Sequence, residues 1–153
     1  HDRFSAGISA FGVGDLEVLA RDTHKFESRY LDSLIGPYPA RADVYRQRSP
    51  IHRLGEITCP VLVLQGADDK VVPPAQAEAI VAALAVNGIP HAYLLFEGEG
   101  HGFRGEPAIR RTLEAELSFL GQVFGFDPAD PVDSVALDGL EAWRARRARV
   151  ESA

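Results

Sequence analysis

The chain predicts an α/β fold built on a parallel sheet, and three observations carry that expectation. CPVLVLQG (59–66) and HAYLLFEG (91–98) are continuous apolar runs, the pattern of strands buried on both faces. Between them lies PPAQAEAIVAALAVNG, where Ala77, Ile80, Val81 and Leu84 form one helical stripe and Gly88 is a natural stop. Strand, helix and strand at this spacing read as a right-handed crossover.

The other elements follow in order. FSAGISAFG (4–12) is a weaker strand. Residues 13–56, rich in Arg, Tyr, Pro and Asp, form a long excursion between two strands, with a helix expected over 23–34 that GPYP ends. Such excursions in α/β sheets often build binding sites. After the last strand, EPAIRRTLEAELSFLGQVFGF places Ile109, Leu113, Leu117, Leu120 and Phe124 on one helical face, expected to cover the sheet. FDPADPVDS then reads as a linker to a short polar helix, DGLEAWRARRARV, whose Arg144, Arg146, Arg147 and Arg149 form a solvated face. The organisation is therefore residues 1–126 as one α/β unit and 127–153 as linker and helix.

With 153 residues and 46% hydrophobic composition, the chain can bury one sizeable core. A net charge of -6 argues against nucleic acid or an anionic membrane as the main partner and favours a neutral or cationic substrate. No apolar run is long enough to span a bilayer, and the N-terminus has no signal layout. Cys59, the only cysteine, excludes an intrachain disulfide and a Cys-rich zinc site, and reads as a small apolar residue. His24, His52 and His91 have no metal-ligand spacing, so neither a metal nor another cofactor is expected. The cytoplasm is the preferred compartment. There is no methionine, so residue 1 is expected to be a processing site or a cut.

Chemistry concentrates at two strand ends. LQGADDKVVPP puts Asp68 and Asp69 just past the first buried strand, where ligands and catalytic groups gather in open parallel sheets. Capping of the next helix is the plainer role for either. FEGEGHGFRG puts His101 between two glycines beyond the neighbouring strand, and an imidazole there suits a general base. An acid on the adjacent loop can orient it by a hydrogen bond.

LQGADDKVVPPAQAE followed by HAYLLFEGEGHGFR closely resembles the prolyl oligopeptidase family of serine peptidases, which includes dipeptidyl and acylaminoacyl peptidases. DTHKFESRYLDSLIGPYP and RSPIHRLGEITCPVLVLQG resemble the same family's intervening segments. The likeness covers about residues 4–126. It implies the C-terminal portion of an α/β-hydrolase fold with an incomplete sheet, a triad in the order Ser, Asp, His, and a peptide substrate. The family's histidine falls on His101. Its Gly-x-x-Asp-x-x-Val-Pro register fits Gly66, Asp69, Val72 and Pro73, which selects Asp69 over Asp68. In the dipeptidyl peptidase branch two aromatics wall the pocket for the residue before the scissile bond, and the resemblance places Phe26 and Tyr30 there, with Val72 adding an apolar contact. Ordinary core aromatics are the alternative.

Ser9 lies one residue away from a Gly-x-Ser-x-Gly elbow, since Phe11 stands where the second glycine should be. No long helix follows it, and the family's corresponding segment is the strand after the nucleophile's helix. The serine is expected before residue 1, which leaves the isolated chain inert and the edge of the 4–12 strand free to drive homo-oligomerisation. An esterase or dienelactone-hydrolase-like fragment and a non-catalytic binding module are the rival readings.

Overall fold

The computed structural model describes residues 3–22 and 29–151. Three parallel strands, β1 (Gly7–Ala10), β2 (Val61–Gly66) and β3 (His91–Phe96), stand side by side in that order. Ile8 pairs with Leu62, and Leu62 with Ala92, so the three strands start level, and β1 stops two residues before β2 and β3. β2 is central and all six of its residues are buried. Its apolar run over 61–64 is what a strand covered on both faces requires, and Gln65 is the polar exception.

Alternation along β2 divides the core in two. Val61 and Val63 face α4 (Pro74–Val86), packing with Ala77, Ile80, Leu84 and Leu54. Leu62 and Leu64 face the opposite layer, with Ala92, Ala115, Phe119 and Val135. The long excursion folds as α1 (Leu16–Asp22), α2 (Tyr30–Leu34), α3 (Ala42–Arg48) and a 3-10 helix at Pro50–Glu56. The helix expected over 23–34 is helical at Tyr30–Leu34, and residues 23–28 lie outside the described residues.

Gln76 of α4 secures the start of this excursion. Its Oε1 accepts from the N–H groups of Gly14 and Asp15 at 3.0 and 2.8 Å, and its Nε2 donates to Asp15 O at 2.9 Å. Asp15 in turn caps α1 by accepting from the N–H groups of Glu17 and Val18. One buried amide thus fixes the path that the chain takes on leaving β1.

α5 (Glu106–Phe124) covers the second face of the sheet, but not with the expected stripe. Ala108, Ala115, Ser118, Phe119 and Gly121 are its buried residues, while Ile109, Leu113, Leu117 and Phe124 are 39 to 62% exposed. Small side chains let the helix approach the strands closely, and Phe119 alone supplies the bulk. The large aliphatic stripe is turned away from the sheet, with Leu120 half-buried at its border.

Beyond α5 the chain packs back rather than trailing away. Val135 and Leu140 are buried, and His91 and Asp138 exchange both backbone hydrogen bonds on the outer side of β3. α6 (Leu140–Glu151) is anchored by Trp143, whose Nε1 donates to Thr58 O at 2.9 Å, and by Arg146, which donates to Gly88 O. The outer edge of β1 has no strand partner among the described residues. No helix among them is long and apolar enough to cross a membrane.

Candidate active site

The site lies where β2 and β3 end. Gly66 closes β2, and a Cβ there would sit 2.5 Å from Glu99 O and still nearer Gly100 O. Only glycine lets the two loops approach this closely. They are stitched together by Ala67 N–H donating to Phe96 O and Asp68 N–H donating to Glu99 O, both at 2.9 Å.

The loop after β3 is held from its own side as well. The Glu99 carboxylate accepts from the N–H groups of Arg104 and Gly105 at 2.7 and 2.8 Å, closing the turn that contains His101. Gly98 and Gly102 take φ values of 73° and 100°, which glycine adopts without the penalty that a Cβ incurs. His101 therefore projects from a closed, pinned loop.

Asp69 and His101 meet across the two loops. His101 Nδ1 lies 2.9 Å from Asp69 Oδ2, with the carboxylate side chain fully buried and the imidazole 43% exposed. Each carboxylate oxygen has a separate set of donors. Oδ1 accepts from the N–H groups of Val71 and Val72 at 2.9 and 2.8 Å, and Oδ2 accepts from Gln65 Nε2 at 3.1 Å as well as from His101. A buried carboxylate needs such donors to remain charged. Because Nδ1 is engaged as a donor, Nε2 is the nitrogen left to accept a proton.

Asp68 points its chemistry elsewhere: its backbone bonds the histidine loop, while Asp69 is the neighbour that reaches the imidazole. Val72 is buried, and its N–H and C=O serve Asp69 and Gln65 respectively. Tyr30 opens α2 with 62% of its surface exposed, and no hydrogen bond or ring contact joins it to Asp69 or His101. Phe26 lies outside the described residues. Ser9 sits within β1 opposite Val63, its Oγ filling the space beside Gly12, and so it is a mid-strand residue and not one at a sharp turn.

Sequence reasoning missed three residues here. Gln65 is fully buried, and a polar side chain just before the glycine of an otherwise apolar strand was a readable signal. Glu99 is the loop clamp described above. Phe11 adopts φ 54°, rare for a side chain of its size, and its ring lies 5.1 Å from the His101 ring and 4.8 Å from that of Phe103. Phe96 extends this aromatic wall at 4.5 Å from Phe103. Nothing in the local composition signals that φ. A groove of about 910 Å³ lined by Phe4, Ile57, Cys59, Ile89 and Trp143 lies at the opposite ends of the strands, away from the pair.

The arrangement can hold an imidazole in one tautomer with Nε2 left to accept a proton, which is the acid and base half of nucleophilic catalysis. The model of the prolyl oligopeptidase family matches residues 1–127. Dipeptidyl aminopeptidase BIII of Pseudoxanthomonas mexicana is 31% identical over 137 residues, covering 86% of this chain and 20% of that protein. A Mycobacterium tuberculosis puromycin-hydrolyzing peptidase superposes with a TM-score of 0.85 at 50% identity, over 90% of this chain and 21% of that one. A Pyrococcus horikoshii acylaminoacyl peptidase superposes at 0.73 with 22% identity, over 86% of this chain and 22% of its own, a likeness of fold. The chain thus spans about a fifth of the length of these relatives.

Proposed function

The chain belongs to the prolyl oligopeptidase family of serine peptidases, with the α/β-hydrolase fold, and from that premise we propose that Asp69 and His101 are the acid and base of a Ser-Asp-His triad that hydrolyses peptide bonds. The observation that carries this reading is the 2.9 Å bond between a half-exposed imidazole and a fully buried carboxylate.

In this reading the serine belongs to polypeptide outside these 153 residues. His101 Nε2 takes the proton of the serine hydroxyl as its oxygen attacks the scissile carbonyl. The imidazolium, held by Asp69 through Nδ1–H, then gives that proton to the leaving amine. Water enters by the same base, and the acyl group leaves as a carboxylic acid. By the family resemblance, Phe26 and Tyr30 are assigned to the pocket for the residue before the scissile bond, with Val72 as an apolar contact.

The puromycin-hydrolyzing relative, at 50% identity, supports amides of unblocked aromatic amino acids as the substrate class. Puromycin itself joins such an amino acid to its aminonucleoside through an amide.

The 153 residues alone carry no nucleophile and are expected to be inert, and to self-associate through the outer edge of β1. A fluorophosphonate probe, with light scattering on the same sample, tests both. The longer polypeptide should label at one serine and lose activity in its His101→Ala variant. The 153 residues should stay unlabelled and run larger than a monomer. Stoichiometric labelling of Ser9 overturns the reading of the nucleophile, and a monodisperse monomer overturns the association.

A further inference from the structure

We infer that Gln65 is a positioning residue for the acid of this site: its side-chain amide fixes Asp69 Oδ2, and so sets where the His101 imidazole is held. The inference rests on the triad reading above.

Gln65 is 0% exposed in the central strand, at a register position continuing the Val61 and Val63 row that otherwise packs against α4. A buried amide in such a row costs stability unless it is hydrogen-bonded, and a Leu or Val would suit the packing better. Its Nε2 faces three acceptors: Val72 O at 3.0 Å, Asp69 Oδ2 at 3.1 Å and Gly66 O at 3.3 Å. Reversing the amide would set its oxygen against a carboxylate and two carbonyls, so the orientation is dictated. Its Oε1 is buried with no hydrogen-bond partner among the described residues, a further penalty that the donor end must offset.

The benefit lies at the carboxylate. Val71 and Val72 hold only Oδ1, and two bonds to one oxygen leave the other free to swing about it. Oδ2 is the oxygen that receives His101 Nδ1, and among the described residues Gln65 is the only other side chain bonded to it. Because the same amide also holds Val72 O, the turn and the carboxylate are fixed to the rigid strand together.

The test uses the longer polypeptide and two readouts, steady-state kinetics on puromycin and the proton resonance of His101 Nδ1–H with its pH titration. Gln65→Met removes both amide N–H groups at nearly unchanged volume, and Gln65→His returns one donor. The Met variant should lose about tenfold in kcat with KM within about twofold, the cost of a loosened general base, and the His variant should recover most of it. In Gln65→Glu, an acceptor replaces the donor that faces Asp69 Oδ2, and kcat should fall by about tenfold or more.

A folded Met variant with kcat within twofold and an unchanged His101 resonance overturns the inference. If that variant does not fold, Gln65→Glu decides, and a kcat within twofold of the parent overturns it. The triad reading fails separately if His101→Ala keeps its activity, while the His101 resonance still reports on Gln65.

Discussion

Replacing Asp69 by Asn changes one atom and reverses one hydrogen bond. Oδ1 keeps its two backbone donors, Val71 and Val72, so the side chain stays in place and the turn should fold. At Oδ2, now an amide nitrogen, two donors confront a third: Gln65 Nε2 at 3.1 Å and His101 Nδ1 at 2.9 Å. Imidazole escapes by moving its proton to Nε2, the nitrogen that has to accept one from the serine. The wrong tautomer in intact geometry costs about 10⁴ in kcat in triad hydrolases. At 1.36 kcal/mol per decade that is about 5 kcal/mol of barrier. The assay is kcat/KM on puromycin for the longer polypeptide, with the nitrogen resonances of His101 reporting the tautomer. Activity within tenfold of the parent, or a proton still on Nδ1, would refute the acid role of Asp69.

Two further outcomes follow from other parts of the structure. Gly66→Ala should force the two site loops apart, because the new methyl meets the carbonyl oxygens of Glu99 and Gly100. A loss of about 1–3 kcal/mol in urea unfolding is expected from this overpacking, and an unchanged midpoint would contradict it. Burial pushes the Cys59 thiol above its ordinary value. Its rate of reaction with a disulfide reagent should therefore rise only at a pH above that of a free thiol, and the profile should drop to the free value in denaturant. Because the folded value is the raised one, this group's contribution to stability is present below the free thiol's pKa and is lost as pH climbs through the folded value.

What could be read in the sequence, and what could not, divides along physical lines. The β2, α4, β3 unit was legible because each element is locally self-consistent: an apolar run, a stripe at helical spacing, a second run. The register of the family resemblance selected Asp69 over Asp68, and Asp69 is the one hydrogen-bonded to His101. α5 was legible as an amphipathic helix but not in which side it buries. Hydropathy gives most weight to Ile109, Leu113 and Leu117, whereas the contact with the sheet is made by Ala108, Ala115 and Phe119. Close approach selects for small residues, which hydropathy scores as weak. The return of 127–151 onto the sheet was hidden for another reason: it depends on backbone pairing between His91 and Asp138, which no side-chain pattern reports.

The two loops sutured at Gly66 and Glu99 belong to consecutive strands, and Asp69 and His101 are 32 residues apart in the chain. The hydrogen bonds that hold Asp69 and His101 to each other are therefore made within one run of polypeptide, from Gln65 to Gly105. On the proposed triad, the acid and the base thus come from one contiguous segment, and only the nucleophile would be supplied from elsewhere in the polypeptide.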